Sequence, residues 1–329
     1  MGRRVSVALC TFNGARYIRA QVASVLAQTR APDELVVSDD GSADDTVALV
    51  EAELRRHERE TGTAPELVVL RNEQPLGVTA NFEQALRACT GELIALCDQD
   101  DEWEPTKLAK LVAMFDARPG LQFLHTDARL IDDDGKPIGG TLFGALEVTA
   151  EDRAAIHSGA PFRVFIRRNL ATGATAMIDR SLLDVSVPFP AAWVHDEWLA
   201  VQAAARRRLD LTDEPLTRYR RHAANQIGAG DPTLGHKVRR VLGRRGERNW
   251  MLAERSRILA QSLKSAGDVD GSTIRLAEEK AEFEAVRAAL PRNRIRRVAP
   301  VLRLAAGDAY ERLASRGRMD IIRDLFQPA

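Results

Sequence analysis

Leu93-Ile94-Ala95-Leu96-Cys97-Asp98-Gln99-Asp100-Asp101-Glu102-Trp103 is a short apolar run that ends abruptly in a cluster of acids. Five consecutive apolar residues have the length and character of a strand buried on both faces. The same pattern occurs three times upstream. Val5–Leu9 runs into Thr11 and Asn13, Glu34–Val37 into Asp39 and Asp40, and Leu67–Leu70 into Arg71 and Asn72. Helical patterns over Ala15–Gln28, Asp45–Arg59 and Thr79–Ala88 lie between them. Alternating units of this kind predict an α/β fold with a mostly parallel central sheet covered on both faces. Ligands of such sheets bind at the carboxyl ends of the strands, where these polar residues gather.

Downstream the pattern loosens. Phe123–Asp127 and Ala174–Ile178 read as strands, and Ile131–Pro137 as a hairpin or turn with Asp, Gly and Pro chemistry. Beyond Gly228 the periodicity becomes helical, over Lys237–Leu242, Asn249–Leu263, Ser272–Ala289 and Val298–Ala314. The Gly228-Ala229-Gly230-Asp231-Pro232 stretch predicts the boundary, with one domain over residues 1–228 and a basic helical region over 229–329.

The 329 residues are 45% hydrophobic and 29% charged, with no low-complexity tract and no internal repeat. No apolar run approaches the roughly 20 residues that span a bilayer. The opening residues read as a first buried strand and not as a secretory leader. Three cysteines, Cys10, Cys89 and Cys97, predict packed thiols in a reducing compartment. The expected location is cytoplasmic, with a peripheral position at the inner face of a membrane as a variant of it. Formal charge is zero overall, but from Lys237 onward 21 basic residues face 12 acidic ones. The first strand leads into Thr11-Phe12-Asn13-Gly14-Ala15-Arg16, without the glycine-rich turn of a dinucleotide fold.

Asp98, Asp100 and Asp101 repel one another unless they are solvated or share a cation. A hard divalent ion with a pyrophosphate supplies that compensation, because Mg²⁺ and Mn²⁺ are held by one or two carboxylates plus phosphate oxygens. A helix start at Pro105 accounts for one acid as a cap, not for three. Asp39-Asp40-Gly41-Ser42 has two readings: a turn capping the next helix, or a carboxylate that accepts the N3–H of a pyrimidine. His222 stands among Arg218, Arg220 and Arg221, a solvated basic face or a group that binds metal and diphosphate. Asp196 and Glu197 lie between Trp193 and Trp198, where an acid in a partly apolar setting can act as a general base.

Taken in order, Thr11-Phe12-Asn13-Gly14, the Ser38–Asp45 segment, Asn72…Gly77…Asn81-Phe82, Cys97–Trp103, Thr172-Gly173, His195–Leu199 and Tyr219-Arg220…His222…Asn225 resemble the family 2 glycosyltransferases of GT-A fold, particularly the rhamnosyltransferase-like members. The resemblance covers about residues 4–228. It implies inverting transfer from a nucleotide-diphosphate sugar, UDP- or dTDP-linked, to a saccharide or lipid-linked acceptor, with Mn²⁺ or Mg²⁺. It places Thr11 and Asn13 beside the nucleotide and Asp39 on the base, with Asp40, Arg71 and Asn81 in the same donor region. Asp98 contacts ribose or metal, Asp100 and His222 ligate the metal, and Asp196 is the catalytic base. His195 stands where many members have Glu, and Glu197 where the rhamnosyltransferase-like group often has an aromatic. No Gln-x-x-Arg-Trp motif of a processive synthase is present.

Two other functions compete with this one. A sugar nucleotidyltransferase would carry a glycine-rich basic loop after the first strand. A non-catalytic binding module would lack the metal ligand, the base or the histidine. The tail arginines 239, 240, 244, 245, 292, 294, 296 and 297 alternate with Val, Leu and Ile. They read either as a surface for anionic lipid or as a basic-faced bundle or dimer contact. No nucleic-acid-binding motif accompanies them.

Overall fold

A computed structural model describes residues 2–222 and 246–327. Among them, residues 2–153, 170–203 and 208–222 form one compact unit, and residues 154–169, 204–207 and 246–327 form a second. The expected boundary at Gly228, the helix at Lys237–Leu242, Asn225 and the arginines from 239 to 245 lie outside the described residues.

The first unit is built on a nine-stranded sheet. Its strands are β1 (Val5–Thr11), β2 (Glu34–Asp39), β3 (Glu66–Arg71), β4 (Leu93–Cys97), β5 (Glu102–Trp103), β6 (Phe123–Ile131), β7 (Pro137–Thr141), β8 (Ala176–Asp179) and β9 (Leu209–Arg220). They run in the order β3-β2-β1-β4-β8-β6-β9-β5, with β7 paired to β6. The first four are mutually parallel. β8 then runs antiparallel to β4 and β6, and β6 runs parallel to β9. Every residue of β1, β2 and β4 is buried, as their unbroken apolar runs require.

Alternation along these strands divides the two faces. Val5, Val7 and Leu9 of β1, Leu35 and Val37 of β2, and Leu93, Ala95 and Cys97 of β4 pack into one core. Helices α1 (Ile18–Leu26), α2 (Thr46–Thr61) and α4 (Lys107–Ala117) add Ile18, Val22, Val50, Leu54, Leu111 and Phe115 to it. Ser38, on the alternate face, bonds to Asn81 of α3 (Val78–Ala88), which places α3 against the other side of β1 and β2.

Several elements differ from expectation. The first helix starts at Ile18 and not at Ala15, because Asn13, Gly14 and Ala15 turn their N–H groups to Ser42 Oγ, Thr46 Oγ1 and Asp44 Oδ2. Asn13 sits at φ 48°, outside helical geometry. The long strand β9 was not anticipated. Its alternation is interrupted near Pro215, where the pairing with β6 shifts register. The Ile131–Pro137 turn is a hairpin, closed by Asp132 N to Lys136 O at 2.9 Å. All three cysteines are free thiols and buried.

In the second unit, helices Gly246–Ser265 and Gly271–Ala288 pack against each other. The expected helix at Val298–Ala314 is two helices, Arg294–Ala305 and Ala309–Leu313, parted at Ala306-Gly307-Asp308. Phe283, Val301, Tyr310 and Leu313 form a small core. An ion network lies beside it: Arg287 Nε donates to Asp324 Oδ2 at 2.7 Å, Arg287 Nη1 to Glu284 Oε2 at 3.0 Å, and Lys280 Nζ to Glu284 Oε1 at 2.7 Å. Among the described residues no helix is long and apolar enough to cross a membrane.

Arg287, Glu284, Asp320 and Asp324 are each 1% exposed, so losing the guanidinium removes the cation that three buried carboxyls share. Arg287→Leu is expected to cost about 3–5 kcal/mol, read as an earlier loss of helical signal in urea denaturation of the full chain.

Candidate active site

The carboxyl ends of the parallel strands are level. Thr11 of β1 is in register with Asp39 of β2, and Asp39 with Arg71 of β3. Thr11 Oγ1 donates to Asp39 Oδ1 at 2.7 Å, and Asp39 Oδ2 accepts the Ser42 N–H at 2.9 Å. Asn13 Oδ1 accepts the Ala43 N–H at 2.9 Å, closing the β1 loop onto the β2 loop. Asp40 is occupied differently. Its carboxylate accepts from Asn72 Nδ2, Leu76 N and Gly77 N at 3.1, 2.7 and 2.9 Å, holding the loop after β3. Asn81 is 3% exposed and ties Ser38 to Asn72, behind the strand ends. Arg71 turns away to Glu51 of α2 at 3.2 Å.

The turn after β4 brings the acids together. Asp100 Oδ2 lies 2.8 Å from His222 Nε2, and both side chains are mostly buried. Asp101, 1% exposed, accepts the Arg220 N–H through Oδ1 at 2.8 Å, while its Oδ2 has no hydrogen-bond partner among the described residues. The Asp98 carboxylate accepts no hydrogen bond from a described residue. Arg220 clamps the turn. Its Nε donates to Asp100 O at 2.7 Å, Nη1 to Asp132 O at 2.9 Å, and Nη2 to Glu102 Oε1 at 2.8 Å. Tyr17 stacks on the His222 ring at 5.1 Å between centroids and lies 5.0 Å from the Arg220 guanidinium. Gln99 joins the acid turn to β1, accepting from Phe12 N at 2.8 Å and donating to Phe12 O at 3.0 Å. A Cβ at Gly14 would collide with that Gln99 amide, so the close approach requires glycine.

Asp196 opens the helix His195–Ala205. Its Oδ2 accepts the Gly173 N–H at 2.9 Å and its Oδ1 the Glu197 N–H at 2.7 Å. The neighbouring His195 is 4% exposed and stacks flat on Phe82, with centroids 3.8 Å apart. Burial holds His195 below the usual imidazole range, which keeps it neutral.

Electrostatics join these pieces. Burial pushes the Asp98 carboxyl up to about 7, and the charges of Asp100 and Asp196 push in the same direction. Lys107 opposes them. It is wholly buried, donates to Ala174 O at 2.7 Å and Thr217 Oγ1 at 3.0 Å, and lies 3.9 Å from the Trp103 ring centre. Burial lowers Lys107 itself to about 7, so one desolvated amine does not balance three carboxyls. Among the described residues no three His, Cys, Asp or Glu side chains already converge as a metal site. A paired carboxylate and imidazole, an unengaged carboxylate and excess negative charge fit a divalent ion that takes its remaining ligands from phosphate oxygens.

Of the sequence-predicted residues, the structure pairs Asp100 with His222 and sets Asp98 and Asp196 in one field. Thr11, Asn13 and Asp39 line the neighbouring edge. Arg220, expected as a group for the diphosphate, is instead engaged by backbone carbonyls and Glu102. Lys107 and Gln99 carry no signal in the sequence that sets them apart.

Residues 6–184, more than half of the chain, match the profile of Glycosyl transferase family 2. This chain belongs to glycosyl transferase family 2. The Escherichia coli UDP-Glc:alpha-D-GlcNAc-diphosphoundecaprenol beta-1,3-glucosyltransferase WfgD is 27% identical over 202 residues, 60% of this chain and 69% of that protein. The first curated relatives matched are covered over only 37–39% of their own length. Residues 1–349 of Staphylococcus aureus TarS, solved in complex with UDP-GlcNAc, superpose with TM-score 0.59 at 17% identity, covering 98% of this chain and 89% of that one. The Pyrobaculum calidifontis mannosyltransferase PcManGT, solved with GDP-Man and Mn²⁺, gives 0.52 at 18% identity over 93% of this chain and 76% of that one. At these identities the likeness is one of fold, the GT-A fold of a family 2 glycosyltransferase.

The raised Asp98 carboxyl has a pH signature. Below about 7 it carries a proton that a cation must displace, and above it the carboxylate is already formed. Mn²⁺ affinity in the presence of UDP, measured by calorimetry, is expected to rise up to about tenfold per pH unit below 7 and to level off above it. Asp98→Asn should flatten the slope.

Proposed function

We propose that this family 2 member transfers a hexose from a nucleotide-diphosphate sugar to a hydroxyl of a saccharide or lipid-linked acceptor, with inversion at the anomeric carbon, in cell-surface polysaccharide assembly. Residues 1–228 are the catalytic domain in this reading. The observation that carries it is the Asp100–His222 pair, 2.8 Å apart, beside the unengaged Asp98 at the carboxyl edge of the sheet.

Asp100 and His222, with Asp98 alongside, would hold Mn²⁺ or Mg²⁺ against the diphosphate, where the ion neutralises charge gathering on the leaving group. Arg220 keeps the turn that bears Asp100 in place through its backbone contacts. Thr11 and Asn13 border the nucleotide. Asp39 Oδ2, with one bond to Ser42, retains a lone pair for the N3–H of uracil or thymine. The donor is therefore a pyrimidine-linked sugar, a UDP-hexose or dTDP-rhamnose; the E. coli relative, a UDP-Glc glucosyltransferase by name, supports the first.

Asp196 is the base. Two backbone N–H groups, from Gly173 and Glu197, fix its carboxylate in one orientation. It takes the proton of the acceptor hydroxyl as that oxygen attacks C1 from the face opposite the leaving nucleotide diphosphate.

Asp196→Asn is expected to lower transfer by about 100-fold or more while donor binding stays within about twofold. Asp100→Asn should lower both transfer and Mn²⁺-dependent donor binding. Turnover of Asp196→Asn at the wild-type rate would remove the base from this account.

A further inference from the structure

Two helices near the end of the second unit bury charged residues and expose periodic apolar ones. In Met319–Phe326 two acids, Asp320 and Asp324, are turned inward beside Ile321 and Leu325, each acid 1% exposed, with Gln327 just beyond at 3%. The residues turned outward are Met319, Ile322 and Phe326, exposed by 64, 52 and 59%. The helix Arg294–Ala305 repeats the arrangement. Arg297 is buried at 1% next to the core residue Val301, while Ile295, Val298 and Leu302 are exposed by 82, 43 and 57%. Spacings of three and seven residues put each triplet on one face of its helix.

The inward charges have partners of opposite sign or hydrogen bonds, Asp320 lying 3.7 Å from the Arg287 guanidinium. Asp324 accepts from Arg287 and from the Tyr310 hydroxyl at 2.9 Å, and Arg297 donates to Gln327 O at 2.6 Å. A helix packed for water alone would turn its acids out and its Ile and Phe in. Single exposed apolar residues are ordinary; two periodic triplets backed by buried ions are not.

Charge identifies what covers these faces. Arg292, Arg294, Arg296 and Arg303 are all exposed, and none makes an ion pair with a described residue. No acid occurs between Arg292 and Ala305. A second copy of the chain would bring arginine against arginine. An anionic lipid surface offers phosphate to the arginines and acyl chains to the apolar triplets. We infer that the helices Arg294–Ala305 and Met319–Phe326 seat this protein on an anionic membrane surface, without spanning it. The inference is independent of the assignment of the catalytic residues.

The experiment is flotation of the full chain with phosphatidylcholine vesicles, with and without an equal part of phosphatidylglycerol. Binding is expected only to the mixed vesicles and should fall with added salt. Ile295→Asp with Ile322→Asp, and separately Arg294→Glu with Arg296→Glu, should each lower the bound fraction by about tenfold. All four positions are exposed, so both variants should keep the wild-type melting temperature and UDP binding. Failure of the wild type to bind mixed vesicles, or undiminished binding by both variants, would overturn the proposal. So would a lipid-free dimer in sedimentation velocity that both variants dissociate.

Discussion

Asp98, Asp100 and Asp101 fall within four consecutive positions after β4, in a place the fold keeps poor in water, and most of the surrounding architecture serves to hold them there. Coulomb repulsion between carboxylates a few ångströms apart amounts to several kcal/mol in a partly buried site. The chain meets this in part. Arg220 spends its guanidinium on backbone carbonyls at 100, 132 and 133, Asp101 takes the Arg220 N–H, and Lys107 lends a buried amine. The remainder is visible as an Asp98 carboxyl raised to about 7. A site left short of positive charge is suited to recruit it together with a substrate.

The sheet makes this arrangement possible. Parallel pairing sets Thr11, Asp39 and Arg71 in register, and the β5–β9 pairing, Glu102 opposite Arg218, fastens the far end of the acid turn. β9 then delivers Arg220 and His222 to residues 120 positions earlier in the chain. The geometry of the candidate site depends on this late strand as much as on the four early ones.

Legibility in the sequence followed the range of the interaction. The parallel strands were readable because burial on both faces leaves an uninterrupted apolar run, and the polar residues at their ends followed directly. The acid cluster was readable because nothing local needs three aspartates. Arg220, Lys107 and Gln99 were not, since their roles depend on carbonyls and rings that only the fold brings near. β9 was hidden by Pro215 and a register shift, and the start of α1 by side-chain caps that arrive from the β2 loop. Asp40 shows the limit from the other side: a carboxylate in a promising place whose bonds go to the backbone of the next loop.

The central claim is that Asp100 and His222 act on one divalent ion together with the donor diphosphate. Pulsed EPR of the full chain with Mn²⁺ and UDP tests it directly, because an imidazole nitrogen bound to manganese gives a nitrogen modulation. The account predicts that modulation in the wild type and its loss in His222→Gln, with weaker Mn²⁺ binding in Asp100→Asn. Tight Mn²⁺–UDP binding with no nitrogen coupling, or coupling that persists in His222→Gln, would contradict it.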